Sequence, residues 1–523
     1  MREKIRKKIG AICLYVCLFF LMIVVIDTKE NYHGDEIFTY GLSNHNNGIT
    51  MKPQRAPYSY APAINAYLEY MTLEKGEEFQ FSNVWANQAQ DVHPPLYYSI
   101  IHFLSSLYSG KFTKWIAGGV NILFMLLTFF VFRKIMDFYK IEGKDKVIFS
   151  LFFVLNTGIL MAVSFFRMYV VVMFEVTLIT WLILKFKGNE KLKFYIALLS
   201  ISIVGALTHY YFIVYLFFVC LFYGIFLLSN KRWVNVLYLI LTMTCAGFLA
   251  FLIFPEMIQQ IFGTVGGRGE ESFDNFQKGL DIWIINIKEY FKVYDKTLFG
   301  GVIFFLLFLL LFIGIYKMSE NKRYYSYDRE KIWDVIIGFL PSVGYFFLIA
   351  KIAVYNTERY AFPIFATMIL VVLYGIKKVI KFLFQRDDIY KIVFGTVCAI
   401  MIASNWKTCS WKFLYLDSAK LLNKMDNYNN VDGLYIGDTE WKMHRNFLEV
   451  SKLRSVTFFG NNIEILAEMD DLNNQSDYVL FVMENNDVEK IVNQIFQICP
   501  QINSYEKLGS YGYTTSYYLY GSN

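Results

Sequence analysis

Four short segments of an otherwise apolar chain carry side chains able to move a proton or hold an anion. They are Gly34-Asp35-Glu36, then Asp91-Val92-His93-Pro94-Pro95-Leu96, then Arg167-Met168-Tyr169 with Thr208-His209-Tyr210, and last Glu358-Arg359-Tyr360-Ala361-Phe362-Pro363. A carboxylate within hydrogen-bond reach of a hydroxyl can act as a general base, a contribution of about 10²–10⁴ in rate. A guanidinium fork matches two phosphate oxygens, and neutral imidazoles can add further donors. Each segment also has an ordinary explanation. An Asp-Glu pair in a loop is usually solvated surface, and interfacial arginines usually snorkel to lipid phosphates. His209 beside two tyrosines suits an aromatic belt, and the Pro-Pro pair suits a plain helix start. Glu175, about two turns inside an apolar run, reads as an ion-pair partner for Lys351 or Arg167 or as a residue with a role of its own.

The elements that must position these residues follow from composition. The chain has 523 residues, 56% hydrophobic, 19% aromatic and only 18% charged, with 51 Phe and 39 Tyr. Its mean hydropathy is +0.37. A soluble chain carries about 25% charged residues, so disorder, a disulfide scaffold and an ordinary cytosolic enzyme are excluded. The seven cysteines are scattered without metal-ligand spacing, and a pairing of Cys409 with Cys499 is left open. The net charge of +6 does not signal nucleic acid, because the lysines and arginines cluster in loops between apolar runs.

Eleven runs are long enough to span a bilayer: 9–26, 115–132, 147–165, 170–184, 194–209, 211–229, 233–254, 298–316, 332–352, 361–376 and 392–407. The first follows a basic start and has no small-residue cleavage site after it, so it reads as an uncleaved span. The run Pro94–Tyr108 is too short to cross easily. If it stays on the surface, the basic loops 133–146, 185–193, 231–232, 317–331 and 377–391 all fall on one side, as the positive-inside rule requires. Ser99, His102 and Ser105 then form one polar stripe on an otherwise apolar helix, as an interfacial helix requires. All four chemical segments lie on the opposite, outer side. The expected architecture is an all-α polytopic membrane domain over 1–408, its first outer loop (28–114) carrying the chemical motifs and juxtamembrane helices. A small α/β domain over 409–523 follows on the outside. Its strands are GLYIG (433–437), SVTFF (455–459), YVLFVM (478–483) and TTSYYLY (514–520), and its helices 417–427, 461–472 and 486–498.

This order of pieces resembles the GT-C class of integral membrane glycosyltransferases. The likeness is to the protein O-mannosyltransferase family (glycosyltransferase family 39) and its bacterial relatives, including the aminoarabinose transferases of lipid A. It covers roughly residues 1–380. It rests on Asp35-Glu36 after the first span and, more specifically, on Asp91-Val92-His93-Pro94-Pro95-Leu96-Tyr97-Tyr98 in the same loop. The family's second outer loop offers an arginine followed by an acid. Here Arg167 matches, and the acid appears only as Glu175. The tail does not look like a β-trefoil.

The resemblance implies a polyprenyl-phosphate sugar donor, an inverting reaction and a cavity at the outer face. Sugar nucleotides are made in the cytosol, so an outward-facing transferase must draw on a donor held in the membrane. Asp35 is then the first candidate for the general base and Glu36 the second, and only one of two sequence neighbours is expected to face the sugar. Arg167 and Arg359 are the candidate phosphate clamp, with His93, Tyr169, His209 and Tyr360 as donor-binding neighbours. No cofactor is firmly implied, and a loosely bound divalent cation at the acids stays open. The acceptor (a glycan, lipid or protein hydroxyl, or an amine) is not named by the sequence. A bacterial plasma membrane is suggested by the Lys-, Ile-, Asn- and Tyr-rich composition. The alternatives are a flippase for lipid-linked sugars and a non-catalytic component of envelope polysaccharide assembly.

Overall fold

The computed structural model describes residues 2–46, 48, 59–60, 63–263, 268–303, 306, 329–412, 419–460 and 476–521. The chain divides into two compact units. The first comprises Met1–Thr28, Ala89–Tyr97 and Ala117–Trp411; the second comprises Lys29–Gln88, Tyr98–Ile116 and Lys412–Asn523.

The first unit is a helical membrane domain. Among the described residues, eight helices are long and apolar enough to cross a bilayer. They are α1 (Arg2–Asp27), α6 (Trp115–Phe138), α9 (Tyr169–Phe186), α11 (Tyr210–Ser229), α12 (Trp233–Ile253), α16 (Arg329–Ile352), α17 (Phe365–Leu383) and α18 (Asp387–Thr408). A ninth crossing is the pair α7 (Gly143–Val154) and α8 (Thr157–Ser164), bent by 42°. A shorter apolar helix, α10 (Leu192–Thr208), has 17 residues that rise about 25 Å. Most of the expected span 298–316 lies outside the described residues. Its first residues form a π turn, Asp295–Phe299.

The α7–α8 break shows how a helix is interrupted inside an apolar slab. Asn156 caps α8 by accepting from the backbone N–H groups of Gly158 and Ile159 at 3.0 and 3.3 Å. Its amide N–H donates to Leu298 O at 2.7 Å. Asn405 of α18 accepts from Thr157 N–H at 2.8 Å and donates to Thr297 O at 2.7 Å. Backbone groups freed by the break cannot turn to water at this depth, so two asparagines satisfy them.

The basic loops gather at one end of this bundle. Asp145 at the start of α7 pairs with Lys377 near the end of α17 at 2.7 Å and accepts from the Tyr390 hydroxyl of α18 at 2.7 Å. Glu190, between α9 and α10, is buried and pairs with Arg232, between α11 and α12, at 2.8 Å. The segments 91–95, 165–169, 208–210 and 353–362 lie at the other end, where the helices run into short turns.

The second unit joins most of the first long loop to the C-terminal tail. It holds α2 (Gly34–Asn44), α3 (Ala63–Met71), α4 (Phe81–Gln90, whose last two residues belong to the first unit), most of α5 (Leu96–Ser106), and the tail helices α19 (Ala419–Met425), α20 (Phe447–Ser451) and α21 (Val488–Ile498). One six-stranded sheet runs in the order β1-β3-β2-β4-β6-β5. Its strands are β1 (Ser59–Tyr60), β2 (Asp432–Ile436), β3 (Ser455–Phe458), β4 (Asp477–Met483), β5 (Ser504–Tyr511) and β6 (Thr514–Tyr520). The central β3, β2 and β4 are parallel; β6 pairs antiparallel with β4 and with β5. The near-continuous apolar run of β4 is what a strand buried on both faces requires. Leu434, Leu480 and Val482 pack under Ile491, Val492 and Ile495 of α21.

The four expected tail strands are present. The expected helix 461–472 lies outside the described residues. Two strands of this sheet are absent from the sequence reading. β5 (SYEKLGSY) is polar and pairs on one side only, so it lacks a strand signature. β1 comes from the first loop and pairs antiparallel with β3, Ser59 opposite Thr457.

The α5 stripe is turned inward at two of its three residues. His102 and Ser105 are buried, while Phe103 and Leu107 of the opposite face are 48% and 56% exposed. Inside, the His102 ring meets Phe81 edge-on at 5.2 Å, and the neighbouring Ser106 hydroxyl accepts from Phe79 N–H at 2.9 Å. Packing of the His102 ring against Phe81 holds this side of the helix inward, which leaves Phe103 and Leu107 outward.

No disulfide joins the seven cysteines among the described residues. Cys409 lies against Met161 Sδ at 3.9 Å, and Cys499 sits in the core under the sheet.

Candidate functional site

In the second unit, the acid pair opens α2. His33 is the N-cap: its Nδ1 accepts from Asp35 N–H at 3.1 Å. An acceptor nitrogen carries no proton, so this His33 is neutral and its 3.6 Å approach to the Asp35 carboxylate is no ion pair. Glu36 completes the capping box. Its Oε2 accepts from His33 N–H at 2.6 Å, and its Oε1 lies 2.9 Å from Lys29 Nζ. Both side chains of that ion pair are buried, at 1% and 0% exposure. Burial pulls the Lys29 ammonium below its ordinary value, and Glu36 opposes the shift.

The Asp35 side chain, by contrast, is 35% exposed. A carboxylate engaged by a buried lysine and a helix cap is held in place, whereas the Asp35 side chain reaches the surface. Nearby packing comes from the tail. His444 sits edge-on to Phe38 of α2 at 4.7 Å and stacks on Tyr70 at 5.8 Å.

In the first unit, three separate segments meet around His93. Its Nδ1 lies 2.8 Å from Asp91 Oδ2, and its Nε2 lies 3.1 Å from an Nη2 of Arg167. His209 stands beside it, ring centroids 5.8 Å apart, and also against Tyr169 at 5.3 Å and Tyr211 at 4.9 Å.

His209 occupies the extended break between α10 and α11, with φ −166° and ψ 138°. Gly205 permits this sharp turn: a Cβ there would lie 2.3 Å from the Phe212 ring. His209 Nδ1 accepts from Tyr211 N–H at 3.0 Å, which leaves Nε2 as the donor. Burial, with the charges of Arg167 and Arg359 acting the same way, holds His209 well below its ordinary value, so its ring is neutral. Arg359 faces the Tyr360 and Tyr355 rings at 5.1 and 5.8 Å. Tyr360 meets Tyr211 edge-on at 5.1 Å. Burial works to raise Asp91, but the bond from His93 and the charge of Arg167 hold it below the usual carboxylate range.

The structure therefore brings His93, Arg167, Tyr169, His209, Arg359 and Tyr360 into one cluster. Asp35 and Glu36 belong to the other unit. Sequence reading missed Gln260, on the short helix α13 (Met257–Phe262). Its amide donates to Asp91 O at 2.8 Å, and its carbonyl accepts from the Tyr210 hydroxyl. A single glutamine in a loop carries no sequence signal of this kind. Among the described residues Glu175 makes no ion pair; it bonds Thr208, 2.7 Å away.

No protein-family model matches the chain, and no curated protein matches it. Several solved structures are similar, two of them of one protein. ArnT from Cupriavidus metallidurans bound to undecaprenyl phosphate gives a TM-score of 0.48 at 10% identity, covering 97% of this chain and 98% of that one. The same ArnT in the apo state gives 0.43 at 12% identity, covering 98% of both chains.

Proposed function

We propose that this protein is an inverting glycosyltransferase that moves a sugar from a polyprenyl-phosphate donor to an acceptor hydroxyl or amine at the outer face of a bacterial plasma membrane. The observation that carries this reading is the His93–Arg167–His209 cluster. A buried guanidinium, a neutral imidazole with a donating Nε2–H, and the charge of Arg359 act on one place at the ends of membrane-spanning helices. Such an array suits a phosphate leaving group, which needs charge stabilisation more than protonation. The lipid tail would lie among the spans.

Asp35 is the proposed general base. Its partial exposure supports this choice, and the engagement of Glu36 with Lys29 and the helix cap recommends a positioning role for Glu36. One base and one displacement suffice for inversion. Nothing in the geometry requires a metal, and among the described residues no group of three or more His, Cys, Asp or Glu side chains could hold one.

The decisive assay incubates purified protein with a panel of polyprenyl-phosphate sugars and measures released lipid phosphate. Sugar-dependent release is expected. A protein that moves intact lipid-linked sugar between leaflets without releasing phosphate would instead be a flippase.

A further inference from the structure

Glu175 is a buried carboxyl that this reading does not use. It lies on α9 six residues after Tyr169, about 9 Å along the helix, and is 3% exposed. Its Oε1 is 2.7 Å from Thr208 Oγ1, and its Oε2 has no hydrogen-bond partner among the described residues. Thr208 Oγ1 also lies 2.8 Å from Val204 O.

A threonine hydroxyl has one hydrogen. If Glu175 were ionised, that hydrogen could serve Glu175 or Val204 but not both, and a buried anion would keep one bare oxygen with no cation at ion-pair distance. If Glu175 carries a proton on Oε1, it donates to Thr208, Thr208 donates to Val204, and only a neutral carbonyl oxygen goes unpartnered. Burying a neutral carbonyl costs far less than burying a carboxylate.

Thr208 is the last residue of α10, and the next residue is His209. We infer that Glu175 is a neutral, protonated carboxylic acid that, through Thr208, positions His209. This deepens the proposed reaction and rests on it only for the catalytic consequence. Glu175 is a positioning residue. It ties α9 to the α10–α11 break, so the direction of His209 Nε2–H depends on a bond made one helix away.

The test uses the full chain in lipid nanodiscs. Infrared difference spectra between the wild type and Glu175→Gln at neutral pH should show loss of one protonated-carboxyl C=O band. Loss of a carboxylate band instead would overturn the assignment. Nitrogen-15 spectra of the six histidines, with His209 assigned by His209→Gln, should show the His209 signals shifted in Glu175→Leu and near wild type in Glu175→Gln, which still donates to Thr208. A His209 signal unmoved in Glu175→Leu would overturn the positioning role. Neither readout depends on turnover, so both stand if no lipid-linked sugar proves to be a donor. In the transfer assay, Glu175→Leu should lower kcat on the order of ten- to a hundredfold, with Glu175→Gln retaining most of the rate. Loss of turnover in Glu175→Gln would mean that an ionisable group is required there, against the inference.

Discussion

Arg167 Nη2 stands 3.1 Å from His93 Nε2, and this one contact fixes the protonation of the cluster. A guanidinium can only donate, so Nε2 must accept, and the ring proton sits on Nδ1, directed at Asp91 2.8 Å away. The row Asp91–His93–Arg167 is thereby locked in one polarity, with its positive end on Arg167. In the proposed reaction, a phosphate held at Arg167 would meet donors already oriented, with no rearrangement at the moment of reaction.

Replacing Arg167 by lysine keeps the charge but removes the planar fork. A charge-assisted bond is worth about 1.5–3 kcal/mol, so kcat/KM for the lipid donor should fall about 10- to 100-fold. Initial-rate measurements against donor concentration check this. Arg359→Ala should likewise weaken use of the donor, and unaltered donor dependence in either variant removes that residue from the clamp.

Asp35→Asn should abolish transfer, by at least about 10²-fold, while the protein still inserts and folds. Its side chain is 35% exposed, so the substitution removes a charge without burying an uncompensated one. Transfer measured in membranes, beside a melting curve of the purified variant, separates chemistry from folding. Unchanged transfer rejects the general-base role.

Glu36→Ala should behave in the opposite way, losing fold before chemistry. It leaves Lys29 charged and buried, a change that costs about 3–5 kcal/mol, and it removes half of a capping box. Substituting both partners, as Lys29→Met with Glu36→Leu, should recover much of that stability. Thermal unfolding of the two variants is the measurement. A single variant as stable as the wild type would show that this pair does not hold α2.

Glu449 gives the protein a pH signature. It is fully buried on α20, and neither carboxyl oxygen has a hydrogen-bond partner among the described residues. Burial raises its pKa from 4.5 to about 7. A carboxyl raised in the folded state contributes stability that is complete below its unfolded value and is lost as pH rises through the folded one. Stability should therefore fall between pH 4.5 and about 7, by at most about 3 kcal/mol. Nearby His444, lowered by burial to about 3, works the other way, gaining stability as pH rises toward 6.5. Glu449→Gln should remove the loss and leave the gain, so its melting temperature should rise more steeply with pH than that of the wild type. Parallel profiles would contradict this.

Sidedness is open to direct labelling. Single cysteines placed in 133–146 should be protected from an impermeant thiol reagent in intact cells, and those in 63–90 should react. The reverse pattern would put the cluster on the cytosolic side and remove the reason for a lipid-linked donor.

The sequence by itself determined the membrane architecture, because apolar length and basic loops are local properties that a bilayer reads directly. Ten of eleven expected spans coincide with described helices, and the basic loops meet at one end through Asp145–Lys377 and Glu190–Arg232. The tail strands were legible for the same reason, as short apolar runs between turns. Residue types and their order also singled out His93, Arg167, His209 and Arg359 before any geometry was available.

Only the tertiary structure decided which partner each polar group takes. Asp35 and Glu36 are adjacent and chemically alike, yet one is exposed and the other is locked to Lys29 and the helix cap. The choice depends on where the chain turns after α1. Glu175, readable from the sequence either as an ion-pair partner or as a residue with its own role, bonds the Thr208 hydroxyl, 33 residues away in sequence. Gln260 reached Asp91 across 169 residues. Long-range hydrogen bonds leave no periodicity behind them, since a single donor and a single acceptor meet once, and the packing of whole helices sets their distance.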